Sequence, residues 1–157
     1  MNDIFISHSS EDRKYAEAVC SRLECAGFKC WVSYRITDLQ PGKIYTQRIT
    51  EAIDSSKVFL LLLSNNSIKS EQVLQEVISA NERQRYGLKI FPVVLDDNVD
   101  MTRFHINMGY VFAGKEMFLW HDVSAQEELI KEIGAFLNAG NITDTAKIAS
   151  YVPECGS

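Results

Sequence analysis

An unbroken run of apolar residues near the middle of the chain is its most distinctive pattern. Residues 57–64 show no polar–apolar alternation, which is typical of a strand buried on both faces in a parallel sheet. A helical pattern follows over residues 70–86, with Ser70 as its candidate N-cap. At 100° per residue Glu76 falls outside the apolar stripe of that helix. The pattern therefore predicts a carboxylate near the carboxyl end of a central strand, the edge where open α/β sheets bind ligands.

The rest of the chain alternates between strand-like and helix-like segments. Apolar, β-branched and aromatic runs predict strands over residues 3–7, 28–33, 89–95 and 117–120. Helical spacing predicts helices over 12–26, 44–55 and 125–137, with 101–113 left open as a short helix. Pro92 predicts an edge position for its strand or one lost ladder hydrogen bond. This order predicts a flavodoxin-like three-layer α/β sandwich, with a parallel five-stranded sheet and helices on both faces.

The loops that follow parallel strands all lie at one edge of a sheet. We therefore expect three segments to converge: residues 7–10, the loop at 34–43, and the turn before Glu76. The second of these exceeds the roughly two to six residues usual for such a connection, and excess length often marks function. We expect one domain over residues 1–139, followed by a polar tail or the start of a linker over 140–157.

Composition and charge exclude several classes of protein. The chain of 157 residues has 16 basic and 21 acidic side chains, a net charge of −5. The basic residues are dispersed, so we predict no nucleic-acid partner. Neither the four cysteines nor the three histidines have metal-site spacing, so no metal site is predicted. No apolar run approaches the roughly 20 residues of a membrane span, and the N-terminus lacks the pattern of a signal peptide. We expect a cytoplasmic protein without a membrane partner.

The common nucleotide-binding and hydrolase motifs are absent from the sequence. It contains no GxGxxG, no GxxxxGK[ST] and no GxSxG pattern. A response-regulator receiver would share the predicted fold, but it needs a phosphoacceptor aspartate at the end of the third strand. The third predicted strand here ends in Leu63-Ser64, which argues against that class.

Four blocks of sequence resemble a known family. Residues 3–12, Asp-Ile-Phe-Ile-Ser-His-Ser-Ser-Glu-Asp, are similar to the opening of Toll/interleukin-1 receptor (TIR) domains. Residues 30–35 and 38–42 resemble the second strand and the BB loop of bacterial members. Residues 52–58, the apolar strand after them, Ser64 and residues 70–77 complete the match. The blocks occur in family order and spacing, and the resemblance covers roughly residues 3–137. It implies the TIR fold, which agrees with the predicted architecture.

The resemblance implies one of two functions. Many bacterial members cleave NAD⁺ to nicotinamide and ADP-ribose or a cyclic isomer, and the family's catalytic glutamate matches Glu76. This implies an NAD⁺ glycohydrolase or ADP-ribosyl cyclase, with NAD⁺ as substrate, no cofactor, and a role in bacterial antiviral defence. The alternative is a non-enzymatic scaffold acting through TIR–TIR contacts. Either function implies other TIR domains as partners, in a homo-oligomer or filament, and a fused or partnering sensor domain.

The family's substrate contacts can be carried onto two loops of this chain. By resemblance, His8, Ser9 and Ser10 would contact substrate from the first loop, and Gln40 from the BB loop. Arg35 could bind a phosphate through two hydrogen bonds. The alternatives are that Ser9 and Ser10 only cap the first helix, and that Arg35 only forms a salt bridge that anchors its loop.

One position departs from the family pattern. Gln72, one turn before Glu76, stands where the family often has an aromatic residue that would stack on the substrate. We retain Gln72 as a candidate substrate contact. Trp31 is the candidate replacement, but its place inside the second strand favours packing in the core.

Overall fold

Five parallel strands form a single sheet in the order β2-β1-β3-β4-β5. The structure, a computed structural model, describes residues 2–35 and 43–139. The strands are β1 (Ile4–Ser7), β2 (Cys30–Val32), β3 (Val58–Leu63), β4 (Lys89–Val94) and β5 (Phe118–Leu119). The α-helices are α1 (Arg13–Cys25), α2 (Lys43–Ser55), α3 (Glu71–Arg83), α4 (Met101–Asn107), α5 (Gly109–Phe112) and α6 (Val123–Asn138).

The apolar run identified in the sequence is the central strand, β3. All six of its residues are buried, and it pairs with β1 on one side and β4 on the other. Alternate side chains enter two separate apolar layers: Phe59 and its equivalents pack with α2 and α3, and Leu60 and its equivalents pack with α1 and α6. A parallel sheet covered on both faces explains why the run lacks alternation. The predicted three-layer α/β architecture is confirmed.

The structure decides two points that the sequence left open. β4 lies between β3 and β5, so the edge position that Pro92 suggested is wrong for the strand. β5 pairs only with Val93 and Val94, so Pro92 has a paired neighbour on the β3 side alone and its missing N–H is tolerated. The ambiguous segment 101–113 contains two short helices, α4 and α5.

The described residues contain no helix that is long and apolar enough to cross a membrane. Within the same residues no group of three or more His, Cys, Asp or Glu side chains could hold a metal ion. Most of the predicted loop at 34–43 and the predicted tail at 140–157 lie outside the described residues.

Candidate active site

Polar side chains are buried at the edge of the sheet where β1 and β3 end. Ser7 is the last residue of β1, and Ser64 directly follows β3. Both are buried, as are Asp12 in the turn after β1 and Glu76 on α3. Because β1 and β3 are parallel neighbours, their carboxyl ends deliver these groups to the same place. The predicted convergence of the first loop and the Glu76 segment is therefore present in the structure.

Glu76 is buried rather than merely displaced from the apolar face of its helix. Helix α3 begins as predicted, because the Ser70 hydroxyl accepts a hydrogen bond from the Val73 amide at 3.2 Å. One turn further on, Glu76 is 5% exposed. The helical pattern could not show this burial, because the end of β1 covers the residue: the Ser7 hydroxyl donates to Glu76 Oε1 at 2.7 Å. Gln72 Nε2 donates to the other oxygen, Oε2, at 3.3 Å.

Burial raises the pKa of Glu76 to about 7, and the hydrogen bonds from Ser7 and Gln72 oppose that rise. Removal of a carboxylate from water disfavours its charged form, whereas donors to its oxygens favour it. A carboxyl with a pKa near neutrality is typical of groups that take part in acid–base or charge-stabilising chemistry. Glu76 thus combines a fixed orientation with a raised pKa.

A second buried carboxylate joins the two loops beneath the site. Asp12 accepts hydrogen bonds from Ser64 Oγ at 2.5 Å and from Asn66 Nδ2 at 2.9 Å. The Ser64 hydroxyl also accepts from the backbone amides of Asn66 and Ser67. This network connects the turn after β1 to the turn after β3. It fixes the segment that follows Ser7.

His8 faces the β2 side of the site. Its Nδ1 donates to the Ser9 carbonyl at 2.8 Å, so Nδ1 carries the proton and Nε2 holds the lone pair in the neutral ring. Burial lowers the pKa of His8, which favours this neutral form. Among the described residues, none is a hydrogen-bond partner of the buried Nε2, and the ring meets Tyr34 edge-on at 5.9 Å between centroids. Within the described part of the chain, His8 therefore presents an unused acceptor.

The remaining candidates from the first loop and from β2 have local contacts. Ser9 caps a short 3₁₀ turn, with its hydroxyl accepting from the Glu11 amide at 3.3 Å. Ser10 begins that turn and is exposed. Trp31 is half-buried and stacks on Phe5 with ring centroids 4.8 Å apart, in the apolar layer that contains α2 and α3.

The BB-loop candidates are only partly described. Arg35 ends a 3₁₀ turn that follows β2, and its guanidinium makes two hydrogen bonds to the Glu24 carboxylate, at 2.6 and 2.7 Å. The salt bridge considered in the sequence analysis is therefore present. Gln40 lies outside the described residues.

Sequence reasoning missed Ser7 and Asp12 as parts of the site. Ser7 was expected only as part of the segment that converges on this edge, and Asp12 only at the start of the first helix; neither was named as a partner of another site residue. The signal that identifies them is the sheet order, which places β1 directly beside β3. A sequence pattern does not contain that order.

A family model of the TIR domain matches residues 4–133. The chain therefore belongs to the TIR-domain family. One curated relative, "NAD(+) hydrolase PdTIR" of Paracoccus denitrificans (strain Pd 1222), is 34% identical over 94 residues, which are 59% of this chain and 31% of that protein. Another, "Stimulator of interferon genes protein" of Magallana gigas, is 31% identical over 94 residues, 58% of this chain and 22% of that protein. The matches thus span less than a third of either relative.

Solved structures of TIR domains share the fold. The TIR domains of the activated Roq1 resistosome align with a TM-score of 0.64 at 17% identity, over 85% of this chain and 99% of theirs. The RPS4 and RRS1 TIR domain heterodimer aligns with a TM-score of 0.64 at 15% identity, over 87% and 98%. The TIR domain of the receptor TRR-2 from Hydra magnipapillata gives 0.59 at 21%, over 85% and 98%.

Proposed function

We propose that this TIR domain cleaves NAD⁺ at the bond between nicotinamide and ribose, and that Glu76 is its catalytic residue. The observation that carries the proposal is the buried Glu76 carboxyl at the carboxyl edge of the sheet, which accepts from Ser7 and has a pKa of about 7. Membership of a family that includes a protein named NAD(+) hydrolase supports the choice of substrate.

One carboxylate is sufficient for this reaction. The bond between the ribose C1′ carbon and the nicotinamide nitrogen breaks with its electron pair going to nitrogen, so a cationic leaving group departs neutral and needs no proton. The ribose that remains has oxocarbenium character, which a nearby carboxylate stabilises. Water that adds to C1′ and loses a proton gives ADP-ribose. Attack by a nucleophile of the same molecule gives a cyclic isomer.

Glu76 acts in this scheme as the ionised carboxylate. A negative charge beside the ribose stabilises the developing positive charge more strongly in a water-poor site than in solution. The same oxygens accept hydrogen bonds from ribose hydroxyls. Because Gln72 already donates to Oε2, we propose that it contacts substrate from the same side.

The loop residues complete the proposed binding site. His8 Nε2 would accept a hydrogen bond from a substrate hydroxyl or amide, since it is buried and no described residue donates to it. Ser9 and Ser10 would contact substrate from the same loop. Arg35 would bind a phosphate once released from Glu24, and Gln40 would act from the BB loop. No cofactor enters the scheme, because NAD⁺ is the substrate.

Association with other TIR domains is the second part of the proposal. Two structural neighbours are described as TIR domains of a resistosome and as a TIR domain heterodimer. The side chains of Ile106 and Tyr110 are 77% and 67% exposed, an arrangement that suits burial against a second domain. A homo-oligomer or filament would bring the domains together, and a fused or partnering sensor would trigger it. A scaffold without catalysis remains the competing function.

The products of NAD⁺ separate these functions. Purified protein at high concentration is incubated with NAD⁺, and nicotinamide, ADP-ribose and cyclic isomers are resolved by chromatography with mass detection. Glycohydrolase or cyclase activity predicts nicotinamide in equal amount to the ribose product, and a scaffold predicts unchanged NAD⁺. The defence role is tested by challenging bacteria that express the wild type or Glu76→Gln with phage. Protection by the wild type alone supports that role.

A further inference from the structure

The two oxygens of the Glu76 carboxyl have different environments. Oε1 accepts from Ser7, which is 1% exposed and belongs to the central part of the sheet. Oε2 faces Gln72, an exposed side chain on the solvent side of α3. The interior contact is short, at 2.7 Å, and the outer one is long, at 3.3 Å. One oxygen is thus anchored in the protein, and the other lies beside an exposed side chain.

We infer that Ser7 is the positioning residue of the active site: its hydroxyl fixes Oε1 of Glu76 so that Oε2 faces the substrate ribose. This inference rests on the proposed function. Ser7 and Glu76 are 69 positions apart in the sequence, so the contact also docks α3 on the end of β1. The strand is held by its neighbours, with Ser7 in register with Leu61 of β3. The donor therefore has a fixed position in the sheet, as a preorganised site requires.

The Ser7 hydroxyl also stabilises the form of Glu76 that the reaction needs. A hydroxyl that donates to a carboxylate favours ionisation and opposes the effect of burial. In this structure the Ser7 hydrogen bond is the largest cause that lowers the pKa of Glu76 against its burial. Loss of the hydroxyl leaves the carboxyl buried with only the longer contact to Gln72. More of the protein then carries a protonated, inactive Glu76 at neutral pH.

The test is the pH dependence of NAD⁺ cleavage in Ser7→Ala, with Ser7→Thr as the variant that retains a hydroxyl. In Ser7→Ala we expect the acidic limb of the kcat/KM profile to move about one pH unit towards alkaline pH, with kcat/KM at pH 7 about fivefold lower. Ser7→Thr should restore most of the wild-type profile. Ser56→Ala is the matched control, because Ser56 is also buried and donates to the Ala52 carbonyl at 2.7 Å within α2 and the turn after it. It should leave the profile unmoved.

Direct titration of Glu76 separates this inference from the proposed function. The carboxyl carbon of Glu76 is followed by NMR against pH in the wild type, Ser7→Ala and Ser56→Ala. A higher pKa in Ser7→Ala alone, together with the shifted activity profile, supports the inference. If the titration shifts in the same way but no variant cleaves NAD⁺, the proposed function is overturned. The effect of the Ser7 hydrogen bond on the pKa of Glu76 is then still established. An unchanged titration in Ser7→Ala, or an equal loss of activity at every pH, overturns the inference.

Discussion

Ser64 and Asp12, 52 positions apart in the sequence, are joined by a hydrogen bond from the Ser64 hydroxyl to the Asp12 carboxylate. Asp12 is 5% exposed and Ser64 is 3% exposed, so the contact is shielded from water. It links the loop that carries His8 to the end of the central strand. The carboxyl edge of the sheet is therefore a connected polar structure.

Replacement of Asp12 should destabilise the fold. Asp12→Ala leaves the buried Ser64 hydroxyl and the half-buried Asn66 amide without their acceptor, and this loss should cost about 1–3 kcal/mol. Urea denaturation monitored by circular dichroism measures the free energy of unfolding. Glu11→Ala is the control, since Glu11 is exposed beside Asp12 and should change stability by less than about 0.5 kcal/mol. Equal small losses in both variants would contradict the role given to this network.

Replacement of Glu76 should stabilise the protein at alkaline pH. The pKa of Glu76 rises from 4.5 to about 7 on folding, so the folded state holds the proton more tightly than the unfolded state. The stability that this group contributes is present below pH 4.5 and is lost as pH rises through 7. We expect Glu76→Gln, which never ionises, to exceed the wild type by on the order of 3 kcal/mol at pH 8. The difference should vanish near pH 4.

Unfolding measured at several pH values checks this expectation. Glu82→Gln, an exposed glutamate on the same helix, serves as the control and should follow the wild-type curve. If Glu76→Gln were less stable than the wild type at pH 8, contacts to the ionised carboxylate would have to outweigh the free-energy cost of burying it. That result would contradict the raised pKa.

Trp31 should act through packing. Its ring stacks on Phe5 at 4.8 Å between centroids, so Trp31→Leu should lower the free energy of unfolding by about 2–3 kcal/mol. The KM for NAD⁺ of the folded variant should remain within about threefold of the wild type, a difference worth less than 1 kcal/mol. Thermal unfolding and steady-state kinetics provide the two readouts. A large rise in KM at unchanged stability would instead identify Trp31 as a substrate-stacking residue.

Variants of the ion pair between Arg35 and Glu24 should show whether Arg35 binds substrate. The pair is 46% and 35% exposed, so its loss should cost less than about 1 kcal/mol of stability. If Arg35 binds a phosphate of NAD⁺, Glu24→Gln releases it and should lower KM, whereas Arg35→Ala should raise KM. Arg35→Lys should resemble Arg35→Ala because an ammonium lacks the planar fork. If all three variants have the wild-type KM, Arg35 does not bind the phosphate and only anchors its loop.

The sequence predicted the architecture because that architecture depends on local patterns. The run through β3 and the Ser70 cap are both visible in short stretches of sequence, and the missing alternation of the run predicts the two-sided burial of the sheet. The helical region ends at residue 86 as predicted, and Gly87 follows it with a φ of 99° that favours glycine. The edge position for β4 was wrong because Pro92 precedes the two residues of β4 that pair with β5, so its missing N–H faces no paired residue of β5.

The site was only partly predictable because its contacts cross long distances in the sequence. Glu76 was identified by its place on α3 and by family resemblance, but its burial depends on the end of β1. Ser7 could not be paired with it before the order of the strands was known. Likewise, the orientation of His8 towards Tyr34 depends on the turn after β2. The spacing of apolar residues in strands and helices does not predict the conformation of such a turn.

The most direct test of the account is nicotinamide release from NAD⁺ by the domain clustered on a lipid or bead surface, which supplies the association expected of TIR domains. The wild type, Glu76→Gln, Glu76→Ala and the control Glu82→Gln are compared at pH 8. We predict release by the wild type and Glu82→Gln, with a loss of at least about 100-fold in both Glu76 variants. Equal release by all four proteins, or none by any of them, would contradict the assignment of Glu76 as the catalytic residue of an NAD⁺-cleaving enzyme.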